Sequence, residues 1–232
     1  MSFIRRILSR AAVAGIVPVI AAAQPLGKVV VTPYVGAYAP NTTVASRNEV
    51  SGTTAIAASV EHRNAVALGA TASYWFAPRF SFEIEGLYAF SDVTTKFATR
   101  EPGVTTESSI GRKNAGMILG AAKLMIGLFP QTSEFQLRLG VGPAIITRVG
   151  SAYRANAEGQ LTGRTDFGGA ISLCTKVPVG SGVALRLRVE DFMYQARLGW
   201  KDKLDPSESY SFDKRFQSDF VLSAGLQIGV MR

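Results

Sequence analysis

The segment Phe80-Ser81-Phe82-Glu83-Ile84-Glu85-Gly86-Leu87-Tyr88 puts Phe80, Phe82, Ile84 and Tyr88 on one parity and Ser81, Glu83 and Glu85 on the other. Successive side chains of a strand point to opposite faces, so this segment has one apolar face and one charged face, which a helix would mix. The same alternation recurs in Phe135-Gln136-Leu137-Arg138-Leu139-Gly140-Val141 and in Val183-Ala184-Leu185-Arg186-Leu187-Arg188-Val189-Glu190. Few folds accept such strands. The charged faces must share a space in which opposite signs meet, and the apolar faces must meet an extended apolar medium.

Further segments of this kind cover 29–39, 64–76, 115–129, 167–177 and 220–230, which brings the expected count to about eight strands. Their spacing alternates. Short links at 77–79, 130–134 and 178–182 carry Pro, Gly and polar turn residues, whereas 40–63, 91–113, 150–166 and 201–218 are long and polar. This order predicts an all-β fold, an eight-stranded antiparallel up-and-down transmembrane β-barrel, with the short turns on the periplasmic side and the long loops outside. A soluble β-sandwich spaces its turns more evenly.

Aromatic residues provide a partly separate criterion. Tyr74, Trp75, Phe76, Phe80, Phe82, Phe129 and Phe135 cluster at the short turns and are expected as an inner belt; Tyr38, Tyr88, Phe90, Phe167 and Phe220 lie near the long loops and are expected as an outer one. The longest apolar window, 116–129, is too short for a spanning helix and contains Lys123. As a strand it turns Lys123 inward and directs Ala122, Leu124, Ile126 and Leu128 to lipid.

Residues 1–23 have the three-part layout of an export signal: Arg5, Arg6 and Arg10, then an apolar run from Ala11 to Ile20, then Ala21-Ala22-Ala23. Sec export with cleavage before Gln24 is expected, leaving residues 24–232 as one barrel domain. Removing the three signal arginines from the formal charge of +8 leaves +5. The basic residues are scattered, without the dense run and interleaved aromatics of a single-strand binder, so nucleic acid is not an expected partner. Outer-membrane lipid is. One cysteine, Cys174, excludes an internal disulfide and a multi-cysteine zinc site.

The stretch Thr32-Pro33-Tyr34-Val35-Gly36, the acid-bearing third strand and Arg186-Leu187-Arg188-Val189-Glu190-Asp191 together resemble the small outer-membrane β-barrel family related to outer-membrane protein A. The resemblance covers nearly all of the mature chain and carries fold rather than activity. Ser223-Ala224-Gly225-Leu226-Gln227-Ile228-Gly229-Val230 is similar to the C-terminal assembly signal of such barrels, with Ser223, Gly225, Ile228 and Val230 at the patterned positions. By that resemblance the barrel-assembly machinery is a partner during biogenesis. The family's common terminal aromatic is replaced here by Met231-Arg232.

An eight-stranded barrel is filled by its own side chains, so the chain is expected to be a plug and not a pore. The expected inward charges are Glu83, Glu85, Lys123, Arg138, Arg186, Arg188 and Glu190. In a ring of eight the third and seventh strands lie opposite, which predicts ion pairs between Glu83 or Glu85 and Arg186 or Arg188. Asp191, Phe192 and Tyr194 break the alternation of polarity, and a β-bulge or emergence into headgroups is expected there.

Some small outer-membrane barrels are hydrolases, a chemistry that needs a nucleophile, a base and a carboxylate. His62 is the single histidine, at the end of the first long loop, and is expected to be exposed and non-catalytic. No motif supplies it with a serine partner, no metal or phosphate motif is present, and no cofactor is expected. Cys174 faces inward by parity, with no evident activating partner. Tracts such as Asn41-Thr42-Thr43, Thr105-Thr106-Glu107-Ser108-Ser109 and Lys201-Asp202-Lys203-Leu204-Asp205 are expected as solvated hairpin tips that meet an unidentified extracellular ligand or nothing. The expected function is a non-enzymatic barrel with an envelope-structural or surface-interaction (adhesin-like) role. A lipid-modifying hydrolase is the alternative, and a soluble lipocalin-like barrel is disfavoured by the charged inward face.

Overall fold

A computed structural model describes residues 29–40, 43–51, 54–101, 104–129, 135–154, 160–180, 183–201 and 209–229. The export signal and Val230 lie outside the described residues. In chain order the strands are β1 (Val29–Pro40), β2 (Thr43–Ser51), β3 (Thr54–His62), β4 (Ala65–Ala77), β5 (Phe80–Ala89), β6 (Asp92–Glu101), β7 (Val104–Asn114), β8 (Gly116–Gly127), β9 (Gln136–Val149), β10 (Gln160–Thr162), β11 (Thr165–Gly180), β12 (Val183–Ala196), β13 (Gly199–Lys201), β14 (Ser209–Ser211) and β15 (Arg215–Gly229).

Eight of them close into one barrel in the order β1-β15-β12-β11-β9-β8-β5-β4. Every neighbouring pair is antiparallel, and β1 seals the ring against β15, with Val30 opposite Gly229 and Tyr38 opposite Val221. Closure leaves no unpaired sheet edge within the apolar layer, where a free N–H or C=O would cost several kcal/mol, on the order of a lost hydrogen bond in hydrocarbon. The outer surface is apolar along every barrel strand, with Val31, Ile84, Leu124, Val141, Leu173, Leu187 and Leu222 among its exposed side chains. The burial pattern of β5 alternates strictly, exposed Phe82 and Ile84 against buried Ser81, Glu83 and Glu85. An exposed apolar belt wrapped around a buried charged interior is the inverse of a water-soluble barrel.

The aromatic belts divide according to parity. Tyr74, Phe76, Phe80, Phe82, Phe129 and Phe135 are exposed at the short-turn end, and Phe90, Phe167 and Phe220 at the other. Trp75 and Tyr38 belong to neither belt: both point inward and are buried. Their place at a strand end suggested a belt, but alternation decides the face. Phe216, which the sequence reading left out, is exposed near the long-hairpin end.

The long polar stretches are not solvated tips over their whole length. The first two hairpins rise beyond the barrel and pair into a four-stranded sheet, β2-β3-β6-β7, while β10, β13 and β14 form a second, three-stranded one. The sequences of β2, β3, β6 and β7 mix Thr, Ser and charged residues with apolar ones and carry no clean apolar alternation, so nothing marked them as strands. Nor is there a bulge at Asp191. The β12 register runs unbroken from Leu185 opposite Val177 to Tyr194 opposite Gly168. Phe192 and Tyr194 continue the inward face and Asp191 points out to accept from Ser218 Oγ at 2.8 Å. The interior becomes aromatic towards the long-hairpin end, so polarity changed while geometry did not. An irregularity falls instead between Pro178 and Gly180, next to a short turn.

Candidate functional site

The lumen holds a buried ion cluster contributed by β5, β8 and β12. Glu83 and Glu85 on β5 face Arg186 and Arg188 on β12, across the ring. Arg186 Nη2 lies 2.5 Å from Glu83 Oε2, Arg188 Nη2 lies 2.9 Å from Glu83 Oε1, and Arg188 Nη1 lies 2.5 Å from Glu85 Oε1. Lys123 pairs with Glu85 and with Glu190, and its Nζ is 3.5 Å from Glu83 Oε1. All six side chains are nearly free of solvent contact. Desolvating so many charges is costly, and the compensation comes from each carboxylate meeting more than one cation, with neutral donors added at Glu83 and Glu85. Ser73 Oγ donates to Glu83 at 2.8 Å, the Tyr34 hydroxyl donates to Glu85, and Arg186 Nη1 donates to Thr71 Oγ1 at 3.1 Å. Arg188 also sits over the Tyr34 ring, 5.5 Å from its centroid.

Two expected positions differ from the others. Arg138 on β9 is buried, yet it reaches none of these carboxylates in an ion pair; its guanidinium lies over the Trp75 ring at 5.2 Å. Cys174 is buried, and Arg186 Nη2 lies 3.4 Å from its Sγ, a cationic partner that the sequence reading did not identify. It faces Arg138 across the β9–β11 ladder.

Towards the long hairpins lies a second layer of buried polar contacts. Tyr38 and Tyr194 each donate to Asp219 Oδ2 at 2.8 Å, and Arg148 Nη1 pairs with Asp166 Oδ2 at 2.6 Å. Above it sits His62. The expectation of an exposed histidine is overturned: the end of β3, the link between β5 and β6, and the 3-10 turn Ser151–Tyr153 fold over one another and bury it. His62 Nδ1 is 3.4 Å from Ser91 Oγ and Nε2 is 3.1 Å from the Tyr153 hydroxyl. Burial lowers its pKa to about 3, with the nearby Arg148 guanidinium pushing the same way, while burial raises that of Tyr153. Ser91 donates to the Arg63 carbonyl at 2.7 Å and is buried. A neutral imidazole beside a serine whose proton is already committed, with Ser91 and Tyr153 rather than a carboxylate at its two nitrogens, lacks the orienting group of a nucleophilic triad.

Of the C-terminal pattern, Ser223 and Gly225 lie on the buried face of β15, and a Cβ at Gly225 would come within 2.6 Å of the Pro33 carbonyl oxygen on β1. Ile228 stands opposite Val31 and Val183.

No protein-family model and no curated protein sequence matches the chain. Among solved structures it is similar to the outer membrane protein OprG from Pseudomonas aeruginosa, with a TM-score of 0.61 at 14% identity over 90% of this chain and 99% of that one. It is also similar to the outer membrane protein AlkL determined in lipid bilayers, with a TM-score of 0.57 at 13% identity over 88% and 92%. At such identities the likeness is one of fold: the chain is a small eight-stranded β-barrel of the outer-membrane type.

Proposed function

We propose that this barrel is a closed, non-enzymatic outer-membrane plug whose long hairpins face outward, presenting the two small sheets for envelope-structural or surface-interaction work. The observation that carries this reading is the lumen: Arg186 and Arg188 bridge to Glu83 across the ring, and the Tyr38–Asp219–Tyr194 layer lies beyond them. A solute would have to break several buried ion pairs in succession, each costing about 3–5 kcal/mol when one partner is lost. The test is conductance of the purified protein in planar lipid bilayers. A baseline trace is expected; steady ohmic steps at low voltage would overturn the plug.

Supporting parts of this reading concern biogenesis and partners. Export uses residues 1–23 and cleavage before Gln24, checked by the N-terminal sequence of the protein recovered from membranes. Ser223, Gly225, Ile228 and Val230 serve the barrel-assembly machinery, and the exposed aromatic rings anchor the barrel in lipid. The enzyme alternative rests on His62, the one histidine beside a serine. His62→Ala is expected to leave hydrolysis of phospholipid and lipid A at the background level of the wild type; a wild-type activity lost in this variant would establish the hydrolase.

A further inference from the structure

The buried ions of the lower lumen do not balance. Four cations, Lys123, Arg138, Arg186 and Arg188, share it with three carboxylates, Glu83, Glu85 and Glu190. The unmatched one is Arg138, which is only 3% exposed and whose Nε and Nη2 have no hydrogen-bond partner. Two further buried polar atoms near it are in the same condition: Nε1 of Trp75, whose ring lies under the guanidinium, and Oγ of Ser81, which stands opposite Trp75 in the β4–β5 ladder. An indole N–H and a guanidinium N–H can only donate, and a hydroxyl can turn to donate.

Over the whole interior the upper layer restores the count, because it buries two carboxylates, Asp166 and Asp219, with one cation, Arg148. That balance does not reach Arg138. Following the ladders, Arg138 is in line with Cys174, Arg188 and then Ser223, and Asp219 lies four residues further along β15, about 13 Å of strand away. The Asp219 carboxylate is already held by two tyrosines. The interior is thus polarised, positive near the short turns. Water could satisfy the three orphaned donor groups, but it would leave the charge, and an uncompensated buried charge is among the costliest defects a fold can carry.

The geometry points to a binding site for one small monovalent anion of the halide class, held at the short-turn end of the lumen by Arg138 with Trp75 Nε1 and Ser81 Oγ. The three groups brought together there are all donors. Its ligand completes the charge of the lower cluster, so the anion is a structural counter-ion of the barrel.

Bromide quenches indole fluorescence, and the chain has two tryptophans, Trp75 and Trp200. In a Trp200→Phe barrel purified in detergent, exchanging sodium gluconate for sodium bromide at fixed ionic strength is expected to quench Trp75 with a saturating curve. The unfolding midpoint should rise over the same concentrations, since a ligand bound to the folded state stabilises it by mass action. Adding Arg138→Met should abolish both responses. Linear or absent quenching, or an equal response in the Arg138→Met variant, would overturn the site. If that variant does not fold, the Trp200→Phe barrel still decides: a midpoint indifferent to bromide refutes the site. Cys174→Ser tests the one competing source of negative charge, ionisation of the thiol beside Arg186. Anion dependence that appears only in this variant would assign the compensating charge to Cys174 instead.

Discussion

Arg186 of β12 reaches across the lumen to Glu83 of β5, Nη2 to Oε2 at 2.5 Å, and the strands that carry them touch nowhere along their ladders. The pair therefore ties opposite walls of the barrel together. Replacing both Arg186 and Arg188 by leucine strands Glu83 and Glu85 with Lys123 as their remaining ion-pair partner among the described residues. The expected loss is about 3–5 kcal/mol for a buried pair broken from one side. A heat-shift gel and urea unfolding in detergent would register it as a lower midpoint. An unchanged midpoint would mean that the cluster fills space without holding the walls.

The outer face sets a different requirement. Leu187 lies between inward Arg186 and Arg188, is 41% exposed, and stands opposite Ala224 and Thr175 on the neighbouring strands. Leu187→Arg puts a third guanidinium on the same strand but into lipid, at an expected cost of about 2–4 kcal/mol near the bilayer centre. Refolding yield into vesicles, compared with Leu187→Ala, measures it. Tolerance of arginine there would contradict a lipid-facing wall.

Backbone contact makes a third position sensitive. A Cβ at Gly142 would fall 1.9 Å from the Ala122 carbonyl oxygen and 2.8 Å from Lys123 Cα on β8. Neither is the mobile end of a side chain, and Pro143 next to it offers no N–H to the ladder. Gly142→Ala should force β8 and β9 apart and cost about 1–3 kcal/mol, as overpacking does. Gly86→Ala, where a Cβ meets nothing within 4 Å, is the control expected to leave the unfolding midpoint near wild type.

What could be read in advance follows from where the physics is local. Inside the apolar layer each barrel strand must separate its faces, so parity alone assigned Glu83, Lys123 and Arg186 to the interior. Trp75 and Tyr38 lie at strand ends, yet parity and not strand-end position sets the face they take. Asp191 suggested a bulge because hydrophobicity changed, although Phe192 and Tyr194 lie on the same inward face as Glu190. Beyond the membrane no lipid forces a strand to separate its faces, and the sequences of β2, β3, β6 and β7 carry no such signature. Burial of His62 depends on three segments distant in sequence, Ser91 and Tyr153 among them, and no local pattern encodes that convergence. The orphaned donors of Arg138 likewise become visible only once every partner has been placed.

That convergence at His62 gives the molecule an acid-sensitive joint. The groups facing the imidazole are Ser91 from the β5–β6 link, Tyr153 from the 3-10 turn, and Arg148 of β9, itself paired with Asp166 of β11. No carboxylate in this set is positioned to favour the imidazolium, so burial and Arg148 hold the pKa down to about 3 against an ordinary 6.5. Between those values the opened state binds a proton that the closed state refuses, and the closed state is therefore fully stable above about 6.5 and loses stability as pH falls towards about 3. Hydrogen exchange of the amides around Ser91 and Tyr153 should accelerate, relative to intrinsic rates, as pH drops from about 7 to about 4. His62→Gln keeps a hydrogen-bonding side chain without a titrating proton and should flatten that dependence while the barrel strands stay protected. An identical pH profile in His62→Gln would assign the acid sensitivity to another group.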